Sequence, residues 1–388
     1  MNQLFSAAAA LTPDGRLAPY WLRLEDGRIR EAGEGPPPGA PDLHLDSGVL
    51  APGFVDVHAH GAGGASFTEG AEAGRRALSA HREHGTTTML ASLVSAPLEQ
   101  VLDQAEALRP LVESGELAGV HMEGPWLSPE HRGAHDPALL ATPTSDAVST
   151  VLRHPAGPLI RYVTLAPECE GGLEAVARLR RAGVVVGIGH TGAGCARTRE
   201  ALAAGASAAT HLFNGMKGLG HRDPGPALAL LEDPESFLEL ICDGVHLHPE
   251  MVRYVWDSAV RHGGPGRIVL VSDSMAAAAA EEGEYTLGGL RVAVRAGEAR
   301  LVTEDGSPGS IAGSTLTMDK AVCFSITEAG VAPEHALAAA TLNPAAMAGL
   351  EDVGRLAPGA QADLVHLDET WQLRRVMRHG RWIDEADR

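Results

Sequence analysis

Residues 54–60 read FVDVHAH, and this stretch decides the fold. The run is short and mainly apolar, as is typical of parallel strands that helices cover on both faces. It ends in His58 and His60, whose side chains point to the same face because successive strand residues alternate. The stretch therefore predicts a buried parallel strand that presents two imidazoles at its carboxyl end.

Seven similar runs follow along the chain, and stretches with helical periodicity separate them. The runs are 86–91, 119–122, 162–166, 184–188, 206–210, 238–242 and 268–272. Amphipathic helical patterns lie between them, for example over 72–84 and 249–262. Eight strands that alternate with helices predict an α/β fold, a (β/α)8 TIM-like barrel whose chemistry takes place at the carboxyl ends of its strands.

The two ends of the chain have a different pattern. Residues 1–51 and 349–388 contain short alternating runs separated by turn residues, so we expect both termini to form one small β-sandwich domain. Residues 52–348 are then the barrel. Within it, residues around 283–304 interrupt the rhythm of strands and helices, and they predict a β-hairpin insertion.

Charge and composition limit the classes of function. The chain has 388 residues and a formal net charge of −19, from 31 Lys and Arg against 50 Asp and Glu. A surface of this sign repels phosphate backbones, so we expect no nucleic-acid partner. An anionic small-molecule substrate would need a local cluster of positive charge.

Cysteine usage and apolar runs indicate the compartment. The four cysteines lie far apart and form no C-x-x-C pair, so the sequence suggests neither a disulfide framework nor a cysteine zinc site. The apolar runs near the N-terminus and at 275–280 are too short to span a bilayer. We therefore expect a cytoplasmic protein without membrane attachment.

Metal-ligating residue types follow several of the predicted strands. A lone H-x-H is often incidental, but the ends of barrel strands meet at one mouth, where such residues would converge. Imidazole and carboxylate ligands suit Zn²⁺ best, with Fe, Mn or Co as alternatives. Besides His58 and His60, the residues at strand ends are His121, Glu123, His190, His211 and Asp273.

The motifs PGFVDVHAHG, HMEGPW, GIGHT, THLFNGM, DGVHLH, VSDS and IAGS resemble the N-acetylglucosamine-6-phosphate deacetylases of the amidohydrolase superfamily. The resemblance spans nearly the whole chain. It implies metal-dependent hydrolysis of the N-acetyl group of N-acetylglucosamine-6-phosphate, which yields glucosamine-6-phosphate and acetate.

The resemblance also implies roles for individual residues. Asp273 would be the catalytic acid and base, and His135 would donate a hydrogen bond to the developing oxyanion. One or two divalent ions are expected per subunit. The principal ion would be held by Glu123, His190 and His211, and a second ion by His58, His60 and the shared Glu123.

The family pattern carries the phosphate and sugar contacts onto a set of loop residues. Arg222 could pair with a phosphate bidentately, and the equivalent family arginine reaches the neighbouring subunit's site, which implies a homodimer. Gly215 departs from the alanine usual in the family. The full set is Ala134, His135, Asn214, Gly215, Arg222, His246, Ile311, Ala312 and Gly313.

Three alternatives stay open at this point. One is a deacetylase of another sugar phosphate, such as N-acetylgalactosamine-6-phosphate. Another is a different amidohydrolase, although the cyclic-amide hydrolases use a carboxylated lysine after the fourth strand and RYVTLAPE has none. The last is a non-catalytic barrel.

The helix before the second strand carries His81 and His84, for which we expect surface positions.

Overall fold

The computed structural model describes residues 2–303 and 305–383. Each of the eight apolar runs contains a strand, and the eight strands pair in parallel in chain order. The predicted (β/α)8 barrel is therefore confirmed. Its strands are Phe54–Ala59, Thr86–Leu93, Gly119–Glu123, Ile160–Leu165, Val185–Ile188, Ala208–Ala209, Phe237–Leu240 and Ile268–Leu270.

The first and eighth barrel strands meet just beyond their carboxyl ends. The backbone nitrogen of Asp273 donates to the carbonyl of His58 at 2.8 Å, and that of His60 donates to the carbonyl of Ser274 at 2.7 Å. A parallel bridge joins Ala59 to Ser274. These hydrogen bonds close the barrel at its mouth, where the candidate ligands lie.

The helices cover the outside of the barrel with apolar faces. In Ser145–Arg153, for example, Thr144 caps the first turn by accepting from the backbone nitrogen of Ala147, and Val148 and Val151 are buried. The α-helices are Ala71–Glu83, Leu98–Ala107, Arg109–Glu113, Ser145–Arg153, Gly172–Arg181, Cys195–Ala204, Gly225–Glu232, Pro249–Arg261, Met318–Thr327, Pro333–Ala339 and Leu342–Met347. Short 3-10 turns occur at Phe67–Glu69, Pro129–His131, Pro137–Leu139, Gly157–Leu159 and Pro265–Arg267.

Both termini contribute to a second sheet, in which Val49–Pro52 pairs antiparallel with Leu364–Leu367. The strands are hydrogen-bonded as one mainly antiparallel sheet rather than two, and residues such as Leu22 and Met377 form its separate core. Met1 and residues 384–388 lie outside the described residues. The strands are Asn2–Leu11, Leu17–Glu25, Arg28–Glu34, Leu43–Leu45, Val49–Pro52, Leu364–Leu367, Leu373–Arg378 and Arg381–Trp382.

A four-stranded antiparallel sheet occupies the stretch in which the sequence predicts a hairpin. Its apolar face packs against Val94 and Met275 beside the barrel mouth. Glu304, at the end of the predicted hairpin, lies outside the described residues. The strands are Glu284–Leu287, Leu290–Arg295, Glu298–Val302 and Pro308–Ile311.

The surface position expected for His81 is wrong. A small hairpin, Gly61–Ala62 with Ala65–Ser66, follows the first barrel strand and brings Gly61 to the helix, so His81 is fully buried. Its Nε2 lies 3.3 Å from the carbonyl oxygen of Gly61 and 3.1 Å from Oγ of Ser274. His84 is partly exposed.

Within the described ranges, no helix combines the length and apolar composition needed to cross a bilayer.

Candidate active site

A cavity of about 280 Å³ opens at the barrel mouth, at the carboxyl ends of the strands. The inserted sheet forms part of its wall through Leu287, Ser310 and Ile311. Most residues proposed from the sequence meet here. Those that line the cavity are His60, Glu123, Ala134, His135, His190, His211, Asn214, Gly215, His246, Asp273, Ile311 and Gly313.

Glu123 is the centre of a tight cluster of imidazoles. Its Oε1 lies 3.1 Å from Nε2 of His190 and 3.0 Å from Nε2 of His211. Its Oε2 lies 3.1 Å from Nε2 of His60. Nε2 of His58, directly below the cavity, is 3.4 Å from Oε1. One carboxylate therefore touches side chains from the first, fifth and sixth strand ends.

Asp273 joins this cluster from the end of the eighth strand. Its Oδ1 lies 3.4 Å from Nε2 of His58 and 3.3 Å from Nε2 of His60. Ser314 donates its backbone N–H to the Asp273 carbonyl at 2.7 Å, which fixes the main chain there. The carboxylate of Asp273 therefore faces the cavity beside the two first-strand histidines.

The backbone at the site adopts conformations that side-chain-bearing residues rarely use. His190, His211 and Asp273 have φ values of 48°, 29° and 47°, in the left-handed region. Such conformations cost on the order of 1–3 kcal/mol each and persist only where neighbours hold them. They turn the chain sharply at the strand ends, so that these side chains point into the mouth.

Electrostatics in the cluster favour charged side chains. Burial lowers the pKa of His58, but the carboxylates of Asp273 and Glu123 outweigh this effect and hold the pKa well above its ordinary value. Against the same burial, hydrogen bonds to Asp273 and Glu123 raise the pKa of His60 to about 9. Burial would raise the pKa of Asp273, yet His58 and His60 lower it to about 2.

The donor set fits a divalent cation. Three groups each place three ligand atoms within 4.8 Å of one another: His58, His60 and Glu123; His58, His211 and Asp273; Glu123, His190 and His211. Nε2 of His190 and Nε2 of His211 are only 3.1 Å apart, and both face one carboxylate oxygen. Nε2 of His58 is buried without a hydrogen-bond partner. Lone pairs that converge in this way need a cation or protons between them.

His135 enters the cavity from the loop after the third strand. Its Nδ1 accepts from the backbone N–H of Ser95 at 3.3 Å, so the proton of the neutral ring is on Nε2. Burial lowers the pKa of His135, although Glu123 opposes this shift, and the ring is kept neutral. Nε2–H lies 3.5 Å from Oε2 of Glu123 and faces the cluster as a donor.

The part of the cavity near His246 differs from the metal cluster. Nδ1 of His246 lies 2.7 Å from Oδ2 of Asp243. Burial lowers the pKa of His246, but the Asp243 carboxylate outweighs it and raises the pKa above its ordinary value. Among the described residues, no lysine or arginine lines the cavity.

Four residues that the sequence singled out do not line the cavity, namely His58, His121, Arg222 and Ala312. Arg222 is exposed on the loop after the sixth strand, where Lys217 pairs with Asp223. Ala312 is fully buried behind the wall and packs with Val94 and Leu287.

Several residues of the site were missed at the sequence level. Val94, Gly133, Leu287 and Ser310 also line the cavity. Small or apolar residues in loops carry no signal that distinguishes the cavity wall from the outer surface. Gly133 lies two residues before His135, and this position could have suggested that it lines the cavity.

Two buried carboxylates lie behind the cluster. Asp56 accepts from Ser272 Oγ at 2.5 Å and from the His58 backbone nitrogen at 3.2 Å, and burial raises its pKa to about 6. Glu239 lies 3.1 Å from Nδ1 of His58. A charged residue within an otherwise apolar strand was the signal that could have revealed both.

A (β/α)8 barrel whose strand ends bring histidines and carboxylates together defines the class of metal-dependent hydrolases. Residues 49–383 match the Amidohydrolase family. The chain belongs to the amidohydrolase family, and the resemblance seen in its motifs is confirmed.

Relatives and solved structures narrow the comparison. An N-acetylgalactosamine-6-phosphate deacetylase from Escherichia coli O157:H7 is 35% identical over 98% of this chain and 99% of its own. The N-acetylglucosamine-6-phosphate deacetylase of Bos taurus is 36% identical over 87% of this chain and 84% of its own. A solved structure from Mycobacterium smegmatis is a variant N-acetyl-D-glucosamine-6-phosphate deacetylase in complex with N-acetyl-D-glucosamine-6-phosphate. It is 41% identical in sequence, its TM-score is 0.92, and the match covers 98% of this chain and 99% of that chain.

Proposed function

We propose that this protein hydrolyses the N-acetyl group of N-acetylglucosamine-6-phosphate to glucosamine-6-phosphate and acetate, with a divalent metal ion. The observation that carries the proposal is the contact of Glu123 with three imidazoles, with Asp273 beside them at the mouth. The relatives named above support the substrate class, because both curated enzymes are deacetylases of amino-sugar phosphates.

Two sets of residues would hold metal. Glu123, His190 and His211 would bind the principal ion, and His58 and His60 would bind a second ion together with Glu123. Zn²⁺ suits imidazole and carboxylate ligands best, with Fe, Mn or Co as alternatives. When bound, the ion supplies a water of lowered pKa and an electrophile for the acetyl carbonyl oxygen.

Asp273 and His135 would carry out the proton and oxyanion chemistry. Asp273 is a carboxylate at neutral pH, so it can take the proton of the attacking water. It then delivers this proton to the amide nitrogen as the C–N bond breaks, which releases the sugar amine. His135 donates its Nε2–H to the carbonyl oxygen as negative charge develops there.

We also propose a homodimer in which Arg222 binds the substrate phosphate in the neighbouring subunit's site. The phosphate is a dianion, yet no lysine or arginine of the described chain lines its own cavity. Arg222 is exposed on a loop that also carries Leu219, 46% exposed. An exposed guanidinium on this loop could pair bidentately with a phosphate held by a second copy of the chain.

A cytoplasmic location is part of the proposal. All four cysteines lie in the described ranges, and each is a free thiol. Free thiols are typical of a reducing compartment.

N-acetylgalactosamine-6-phosphate is the second candidate substrate. The 35% identity with the E. coli O157:H7 enzyme over 98% of this chain favours it. The two sugars differ only in the orientation of one hydroxyl.

The test is amine release by purified protein from both sugar phosphates and from N-acetylglucosamine without phosphate. We expect turnover that a chelator abolishes, that added Zn²⁺ restores and that requires the phosphate. Faster turnover of the galactosamine epimer would reverse the order of the two candidates. Folded, zinc-loaded protein that turns over neither phosphate would refute the proposal.

A further inference from the structure

Glu239 lies on the seventh barrel strand, Phe237–Leu240, and is fully buried. The strand reads FLEL, so its carboxylate interrupts an otherwise apolar run. A buried carboxylate is costly unless donors pair with it. Among the described residues, Oε2 of Glu239 has two partners and Oε1 has no hydrogen-bond partner. The partners of Oε2 therefore indicate why Glu239 is there.

One oxygen of Glu239 contacts both ligand sets of the candidate metal site. Oε2 lies 3.1 Å from Nδ1 of His58 and 3.1 Å from the backbone nitrogen of His211. His58 belongs to the ligand group with His60, His211 belongs to the group with His190, and both belong to a third group with Asp273. Glu239 does not line the cavity, so it can affect the contents of the cavity only through other residues.

The contact with His58 sets the tautomer of that ring. An imidazole that ligates a metal is neutral and carries one proton, which Nδ1 of His58 would donate to the Glu239 carboxylate. Nε2 then has a free lone pair, and it faces the cluster, 3.4 Å from Oδ1 of Asp273 and without a hydrogen-bond partner. A carboxylate behind a ligating histidine orients the ring and raises its basicity.

The contact with His211 holds a strained turn. His211 has a φ of 29°, and its backbone N–H donates to Oε2 of Glu239. The backbone N–H of Leu212 donates to the main-chain oxygen of Glu239 at 2.8 Å. The two hydrogen bonds keep the end of the sixth strand in the conformation that directs Nε2 of His211 to Glu123.

We infer that Glu239 is a positioning residue that couples the two halves of the metal site, because it fixes the His58 ring and the His211 backbone with one oxygen atom. The inference rests on the proposed function, since it requires the cluster to hold metal. Loss of a partner behind a metal ligand weakens metal affinity by about 10- to 100-fold.

The experiment measures zinc content of the full-length protein after dialysis against buffers of defined free Zn²⁺. Wild type is compared with Glu239→Leu, which removes both acceptor oxygens, and with Glu239→Gln, which keeps one oxygen but no charge. We expect Glu239→Leu to lose the second ion, and Glu239→Gln to need about 10- to 100-fold more free Zn²⁺ than wild type for both ions. The histidine ¹⁵N NMR spectrum of zinc-loaded wild type should contain an Nδ1–H resonance for His58, assigned with His58→Asn.

Asp319→Asn is the matched control. Asp319 also accepts from a histidine, with Oδ2 3.2 Å from Nδ1 of His84, but this pair lies on the outside of the barrel. We expect its zinc binding to equal that of wild type. Folding of each variant is checked by circular dichroism, and Glu239→Gln decides if Glu239→Leu does not fold.

Two outcomes separate the inference from the proposed function. Wild type that binds no zinc at any free concentration would overturn the metal assignment and the inference with it. Wild type that binds two ions, beside a folded Glu239→Gln that binds both with unchanged affinity, would overturn the role of Glu239 alone.

Discussion

The burial of His81 makes the stability of the protein depend on pH. The side chain is fully buried, and burial lowers its pKa from an ordinary value of 6.5 to about 4. The folded protein therefore keeps the ring neutral, whereas the unfolded chain binds a proton near its ordinary pKa. Because the unfolded state binds more protons in this window, stability rises with pH across it and is lost as the pH falls.

The magnitude follows from these two pKa values. Linkage gives a loss of about 2 kcal/mol between about pH 7 and pH 5, and about 3 kcal/mol between about pH 7 and pH 4. The ring has no exposed surface, so solvent does not screen the effect of its burial on the pKa. These values are large beside a typical domain stability of about 5–15 kcal/mol.

The assay is urea unfolding of metal-stripped protein at several values between about pH 7 and pH 4.5, for wild type and for His81→Gln. Glutamine can still donate to Gly61 but does not titrate in this range. We expect the free energy of unfolding of wild type to fall more steeply than that of the variant, by about 2 kcal/mol at pH 5. Parallel pH profiles for the two proteins would refute this role of His81.

Three further predictions concern the catalytic chemistry. Asp273→Asn should keep the fold and zinc content but lower kcat by about 10²- to 10⁴-fold, because the asparagine side chain cannot accept a proton. Near-normal turnover of this variant would show that Asp273 is not the general base. His135→Ala should lower kcat with little change in zinc content, since it removes a donor to the oxyanion, and a change confined to KM would contradict that role. Arg222→Ala should raise KM for the phosphorylated sugar while sparing the weak turnover of the free sugar. Mixing it with Asp273→Asn should regain part of the activity if the arginine acts across a dimer, and no recovery after proven subunit exchange would contradict this arrangement.

The barrel could be predicted because buried parallel strands leave a strong signal. Most residues of the eight runs are apolar, since helices cover one side and the barrel interior fills the other. The extent of the strands was less predictable, as in the sixth run, where only Ala208–Ala209 pair as a strand. Chain turns at His211 and Asn214 shorten that strand, and they depend on contacts from other strands.

The errors have physical causes of the same kind. Helical periodicity located His81 on a helix, but its burial depends on the hairpin from Gly61 to Ser66, which follows a different strand. Glu239 was missed because one acidic residue in FLEL does not reveal which groups face it. Arg222 is exposed and does not line the cavity, so its proposed contact with the phosphate requires a second copy of the chain.

The sequence by itself determined the kinds of group and the order in which they occur. Apolar runs separated by helices specify a barrel, and the residues at their ends specify imidazole and carboxylate chemistry. Only the tertiary structure decided which atoms meet. Glu239 is 181 residues from His58 and 28 residues from His211, yet one of its oxygens contacts both. Closure of the barrel brings such distant residues together, because strands that are neighbours in space or face each other across its interior need not be neighbours in the chain.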